Sequence, residues 1–282
     1  MIYFILLSCK TSVHITMPDI ITSTRNPRIK SLINLQKPKE RKARGLFIIE
    51  GYRELIQAVH AGYEVMEMYY CPEIAGNKLS EFPQSNFSEV FEIDKKVYEH
   101  LAYRDSTEGF VAVAKMRHHE IQDIILPSEP LILILETIEK PGNLGAVLRT
   151  ADAANIDAVI LCDNRTDLYN PNVVRSSLGC IFTRQIALLD SGSTIKWLKE
   201  KKIQIIVSSL QAEHYYHTTG FTSPSAIIMG SESNGISDQW IDAADKIVKI
   251  PMYGRVDSMN VSVSAAIFIY EAIRQRNLKQ SI

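Results

Sequence analysis

The sequence predicts an α/β protein built as two successive α/β units. Three observations predict it. Short apolar runs of strand length alternate with helical stretches, twice over, along the 282 residues. A polar segment with Pro127 and Pro130 near its end separates the two alternations. The runs of the second half are near-continuously apolar, as in a mostly parallel sheet covered on both faces. A chain this long accommodates two domains, and 46% hydrophobic with 22% charged residues gives it the material for real cores.

Taken in order, the chain opens on MIYFILLSCK, an apolar run ending in Leu6, Leu7, Ser8 and Cys9. No Lys or Arg precedes the run, and it is short for a signal-peptide core. Residues 1–19 are therefore expected to be a non-native or disordered extension, with Met17 as the initiator. Next, Arg25, Arg28, Lys30, Lys37, Lys39, Arg41, Lys42, Arg44 and Arg53 face only Glu40 and Glu50. Leu32, Ile33 and Leu35 add an apolar stripe, so a helix with one wet, cationic face is expected here. A strand at 46–50 turns at Gly51 into a helix that Gly62 closes, and strands follow at 65–71 and 110–114. The first domain thus spans 20–115, a linker 116–130 and the second domain 131–282. In the latter, strands are expected at 131–135, 157–162, 203–209, 226–229 and 246–250, with helices between them.

Three loops of the second half carry unusual residues at the ends of expected strands, where ligands gather in open α/β sheets. In Glu136–Asp152 a Pro141-Gly142 turn opens a helix that Asn143 is suited to cap, with Arg149 further along it. A Gly-rich turn before a helix suggests phosphate, yet neither GxGxxG nor GxxxxGK[ST] is present. An ordinary helix with an exposed Arg explains the segment as well. In Ile227–Gly235 two glycines bracket Glu232, and Gly230 would let a ligand approach the backbone closely; a hairpin-like loop is the plainer reading. In Ile250–Ser262, Ser258 and Asn260 are good cap residues for the long helix that follows. That helix is apolar on nearly every side from Ala265 to Ile273, so one face is expected on the sheet and another on a second subunit.

Formal net charge is −1, which announces no nucleic-acid partner by itself. Cys9, Cys71, Cys162 and Cys180 form no CxxC pair, which argues against a disulfide framework or zinc ribbon and fits a reduced, cytoplasmic compartment. Beyond the start, no stretch is long and apolar enough to span a membrane. Glu213, His214 and His217, or His118 with His119, lack the ligand set of a metal site and read as surface histidines; no metal is expected.

PGNLGAVLRTADA, IMGSESNG and IPMYGRVDSMNVSVSAAI, in this order, resemble the three signature motifs of the SpoU (TrmH-type) RNA ribose methyltransferases of the SPOUT superfamily. Asn170-Pro171 and Arg175–Gly179 are similar to a further family segment. FIIEGYRELIQAVHAG and STEGFVAVAK resemble the family's substrate-binding domain, which is similar to ribosomal protein L30e. The resemblance implies a C-terminal trefoil knot, although threading is nearly absent from other folds, and a homodimer through the C-terminal helix. It implies S-adenosylmethionine as methyl donor, with Gly230, Ile250 and Met259 as its contacts. Met259 stands where Leu is usual, a volume-conserving change. It gives Arg149 the central catalytic role and assigns pocket-shaping roles to Asn143, Glu232, Ser258 and Asn260. Arg25, Asn26, Arg28, Lys30 and Arg175 are the expected RNA contacts. The implied substrate is a ribose 2′-hydroxyl in 23S-type rRNA. Methylation of tRNA, or a catalytically silent knotted RNA-binding protein, stand as the alternatives.

Overall fold

The computed structural model describes residues 20–82, 86–102, 108–231 and 233–280, with side chains as far as 277. The expected extension 1–19 and Glu232 thus lie outside the described residues. Two sheets organise the chain. The first joins β1 (Leu46–Glu50), β4 (Phe110–Lys115), β2 (Val65–Tyr70) and β3 (Phe87–Glu92), in that order across the sheet. Here β4 runs antiparallel to both neighbours, while β2 and β3 are parallel. Around it lie α1 (Pro27–Asn34), α2 (Pro38–Arg44), α3 (Tyr52–His60), α4 (Pro72–Ala75) and α5 (Lys95–Leu101).

The basic segment forms two helices rather than the one expected. Asn26 Oδ1 accepts the Arg28 N–H at 2.9 Å and Pro27 opens α1, a favourable helix start. Pro38 then holds Lys37 extended, so the chain breaks and restarts as α2. The break turns part of the cationic face inward: Arg41 is fully buried.

The second sheet is entirely parallel. Its order is β7 (Ile186–Leu189), β6 (Ala158–Cys162), β5 (Leu131–Glu136), β10 (Ser225–Met229), β8 (Gln204–Ser208), β11 (Lys246–Lys249) and β9 (His214–Tyr215). From β5 the chain steps outward to β7, crosses to β8, and returns β10 to the centre beside β5. Its helices are α6 (Pro141–Ala153), α7 (Pro171–Ser176), α8 (Cys180–Thr183), α9 (Ser191–Glu200), α10 (Asp238–Ala243) and α11 (Val261–Gln280). One sheet face carries α6 and α11; the other is sealed by Leu198 of α9 and by Trp240 of α10, which is fully buried.

The two sheets share one hydrophobic cluster. Phe47 of β1 meets Tyr169 with ring centroids 4.3 Å apart, and Tyr63 meets Phe182 of α8 at 4.9 Å. Burying side chains of this size is worth about 1.5–3 kcal/mol each. The connecting segment is tied down as well. The Arg117 guanidinium lies over the Tyr63 ring at 3.9 Å, and Gln185 exchanges hydrogen bonds with the Ile125 main chain at 2.8 Å. His119 is not a surface histidine: Nε2 bonds Tyr169 Oη at 2.8 Å, Nδ1 lies 3.2 Å from the Ile186 carbonyl, and burial lowers its pKa. His214 and His217 are exposed, and among the described residues no group of three His, Cys, Asp or Glu could hold a metal ion. No helix among them is long and apolar enough to cross a membrane.

Candidate active site

Three loops meet at the carboxyl ends of the central strands. The first leads from β5 into α6. Pro141 occupies the first turn and Lys140, not Asn143, is the N-cap. Pro is pre-organised for that position, which moves the helix start upstream. Asn143 is thereby freed from capping and turns toward the third loop, where its Oδ1 accepts a hydrogen bond from Asn260 Nδ2 at 3.0 Å. Leu144, Val147, Leu148 and Ala151 bury one side of α6, and Arg149 emerges from the other. Gly145 lets α7 press against α6, because a Cβ there would run into Ser176.

That close packing brings Arg149 and Arg175 onto the wall of one cavity of about 810 Å³ between the two halves of the protein. Its opposite wall is made by residues of β1, α3 and the turn before β4, among them Arg53. Arg149 makes no hydrogen bond or ion pair among the described residues, whereas Arg175 bonds Asn172 and lies 3.8 Å from Glu50. An exposed, uncommitted guanidinium keeps its charge and its five donors available to an anion.

The second loop leaves β10 at Gly230. Ser231 and Gly235 pair through two main-chain hydrogen bonds of 2.9 and 3.0 Å, folding the loop back on itself. A Cβ on Gly230 would strike the Gly235 carbonyl, so the close approach this glycine permits is of the loop's own backbone. Beneath lies a polar anchor that sequence reading missed. Glu136, the last residue of β5 and almost fully buried, accepts from Ser237 N at 2.8 Å and Ser237 Oγ at 2.5 Å. Ser191 Oγ donates to Asp163 at 2.6 Å and accepts from Trp240 Nε1 at 2.9 Å, which extends the network. The available signal was a lone carboxylate closing an otherwise apolar strand, since a buried carboxylate must find donors.

The third loop runs from β11 to α11. Asn260 Oδ1 accepts the Ser262 N–H at 2.9 Å and so caps α11 while its Nδ2 reaches Asn143. Ile250, Ser258 and Met259 line a narrow slot with Ser208, Leu210 and Met252, where β8 and β11 end. Apolar walls carrying a few hydroxyls suit an uncharged heterocycle with a polar sugar. The cavity of Arg149 and this slot share no lining residue; the Asn143–Asn260 bond joins the loops that lead to them.

Of the expected RNA contacts outside the cavity, Arg25 and Lys30 are exposed and unpaired among the described residues. Asn26 is committed to its cap. Arg28 donates to Glu89 at 2.8 Å and lies over the Phe91 ring at 4.3 Å, which partly neutralises it.

Comparison with known proteins bears on both halves. Residues 130–270 match the model of the SpoU rRNA Methylase family, and residues 26–112 that of the MRM3-like substrate binding domain. The 23S rRNA (guanosine-2′-O-)-methyltransferase RlmB of Vibrio parahaemolyticus is 34% identical over 193 residues, covering 66% of this chain and 78% of that protein. The 23S rRNA (guanosine(2553)-2′-O)-methyltransferase RlmP of Bacillus subtilis is 26% identical over 250 residues, covering 89% and 97%. A crystal structure of an RNA 2′-O ribose methyltransferase superposes with a TM-score of 0.81 at 37% identity, covering 91% of this chain and 99% of that one. An AdoMet-bound rRNA methyltransferase from Sinorhizobium meliloti gives 0.82 at 28% identity, covering 90% and 97%.

Proposed function

The chain belongs to the SpoU rRNA Methylase family, and on that premise we propose how its residues carry the reaction. It is an S-adenosylmethionine-dependent RNA methyltransferase that modifies a ribose 2′-hydroxyl of 23S-type rRNA. S-adenosylmethionine supplies an electrophilic methyl group on a sulfonium. Ile250 and Met259 line its slot, with Gly230 shaping the neighbouring loop; the apolar walls and the Ser208 and Ser258 hydroxyls fit the adenosyl portion.

Arg149 is the residue that carries the reading. Its free guanidinium faces a cavity large enough for a nucleotide. There it would grip the phosphate beside the target ribose and stabilise the alkoxide that develops as the hydroxyl proton passes to solvent. Asn143 and Asn260 hold the two walls in register, Ser258 offers its hydroxyl at the slot, and Glu232 organises its loop by its place in the motif. Holding the hydroxyl in line with the methyl group is where most of the rate would come from, on the order of 7–11 kcal/mol in favourable cases.

We divide the chain into an L30e-like RNA-binding domain at 20–115, a linker at 116–130 and a trefoil-knotted catalytic domain at 131–282. The return of β10 to the sheet centre after β8, with α11 then passing over α6, supports a threaded path. Arg25 and Lys30 would carry the outer RNA contact, with Asn26 and Arg28 beside them setting the start of α1, and Arg175 the inner one. Homodimerisation through α11 is supported by the apolar face it leaves uncovered, including Val263 and Tyr270. Work on rRNA would place the enzyme in the cytoplasm.

The test is transfer of labelled methyl from S-adenosylmethionine to rRNA and tRNA lacking the modification. Label in an alkali-resistant dinucleotide of rRNA is expected. Arg149→Ala should lower transfer by about 10²–10³-fold with cofactor binding intact. Label on a base, or an Ala variant as active as wild type, would refute the assignment.

A further inference from the structure

The cavity that Arg149 faces is charged on both walls, and the reaction described above uses only the cationic one. Opposite Arg149 and Arg175 stand Glu50, Glu54 and Glu108 of the N-terminal half. Carboxylates repel phosphates, and here three of them outnumber the one cation, Arg53, so this wall is a poor track for an RNA backbone. Two of the three are already engaged. Glu50 lies 3.8 Å from Arg175, and Glu108 accepts from Lys78 Nζ at 3.2 Å and from Arg53 N at 3.3 Å.

Glu54 differs. Only 6% of it is exposed, and among the described residues no side chain hydrogen-bonds or closely ion-pairs with its carboxylate: its own main chain donates to it, Gly51 packs beside it and Arg53 attracts it from further off. It stands at the third position of α3, where Glu usually reaches back to the N–H of the cap residue. That donor is taken: Gly51 N already bonds the Phe110 carbonyl at 3.0 Å. A buried carboxylate whose one donor is its own main chain is costly to keep, and here it lines a cavity open to ligand.

We propose that Glu54 reads the base of the target nucleotide, its two oxygens accepting N1–H and N2–H of a guanine seated between the walls. This rests on Arg149 holding the sugar-phosphate of the same nucleotide. Guanine alone among the four bases presents two adjacent N–H donors on its Watson–Crick edge. Adenine and cytosine place a ring-nitrogen acceptor beside their amino group, and uracil flanks its N–H with two carbonyls; each sets a lone pair against the carboxylate. The cavity has room for one unstacked nucleotide, the way enzymes reach groups hidden in a helix. Burial and the nearby Glu108 and Glu50 push the Glu54 pKa up, and two donated hydrogen bonds from guanine would bring it down again. Recognition of the base and ionisation of the carboxylate are thus one event.

The experiment first maps the labelled rRNA nucleotide, then places it in a synthetic stem-loop carrying guanosine, inosine (which lacks the N2 amino group) or adenosine. Wild type should prefer guanosine to inosine by about tenfold or more in kcat/KM. Glu54→Gln should lose roughly 10–100-fold on guanosine, and its guanosine-to-inosine ratio should fall to about one, with cofactor binding by calorimetry unchanged. A mapped nucleotide other than guanosine, a wild type indifferent to inosine, or a Gln variant that keeps the ratio would each overturn the assignment. The inosine comparison needs only the wild-type protein, so a misfolded variant cannot obscure it. Absence of transfer to any rRNA would instead sink the methyltransferase reading, and the base reading with it.

Discussion

Asn260 donates from Nδ2 to Asn143 Oδ1 across 3.0 Å, joining residues that lie 117 positions apart. The same Asn260 caps α11 through Oδ1. One side chain therefore fixes where the last helix begins and how the first site loop lies against it.

Removing either partner should uncouple the two. Asn260→Ala loses cap and cross-link and should cost about 0.5–2 kcal/mol in urea denaturation. Asn143→Ala loses the cross-link but leaves the cap, about 0.5–1.5 kcal/mol. The double variant should be less destabilised than the sum, since the shared bond can be lost once. Additive costs would show that the bond carries no coupling.

Arg41 should prove the most sensitive position of the basic segment. Fully buried, it donates to Asp167 from Nε at 2.9 Å and Nη2 at 2.5 Å, and from Nη1 to the Leu35 and Gln36 carbonyls at 2.8 Å. Arg41→Ala strands a carboxylate and two carbonyls, and a loss of about 3–5 kcal/mol is expected. Arg41→Lys should be nearly as harmful, because an ammonium cannot reproduce the fork. A loss below about 1 kcal/mol in either variant would contradict the geometry.

Glu54 predicts a pH signature in stability. Its pKa is raised in the folded protein, first by burial and then by Glu108 and Glu50 against the opposing effect of Arg53. A carboxyl with a raised folded pKa favours folding fully below its unfolded pKa and loses that contribution as pH rises through the folded value. Glu54→Gln should thus be more stable than wild type at neutral pH, with the difference shrinking toward pH 4. Equal differences at both pH values would mean that Glu54 is not desolvated.

The uncovered face of α11 is the expected subunit contact. Val263 and Tyr270 are about half exposed, whereas Ala265, Phe268, Ile269 and Ala272 are buried within the chain. Val263→Asp with Tyr270→Glu should shift a dimer to monomer in sedimentation at micromolar concentration, without unfolding it. A wild type that sediments as a monomer would remove α11 from that role.

Much of the architecture was legible because the central parallel strands are close to continuously apolar. LILIL at 131–135 and the runs at 157–162, 203–209, 226–229 and 246–250 lie within a residue or so of β5, β6, β8, β10 and β11. The edge strands escaped notice for the opposite reason. Leu188 of β7 is 40% exposed and β9 spans two residues, so neither carries a buried-strand pattern. The site was legible as motifs but not as geometry. Asn143 looks like a cap, and only the fold shows that Pro141 displaces it. Glu136, Ser191, Ser237 and Trp240 come from separate segments and become a network only when β10 is inserted beside β5. Arg41 reads as one more surface cation, because nothing local reveals a carboxylate 126 positions away.

That ion pair and the aromatic contacts around Phe47 have a bearing on protein engineering. A chimera that grafts the front half of this chain onto a relative's catalytic half would carry Arg41 into a foreign loop. Unless the recipient presents an acid at the place of Asp167 and rings at those of Tyr169 and Phe182, the graft would bury an unmatched cation at its own seam. Compatibility between such halves can therefore be screened by three residues, well before any question of which RNA the chimera binds.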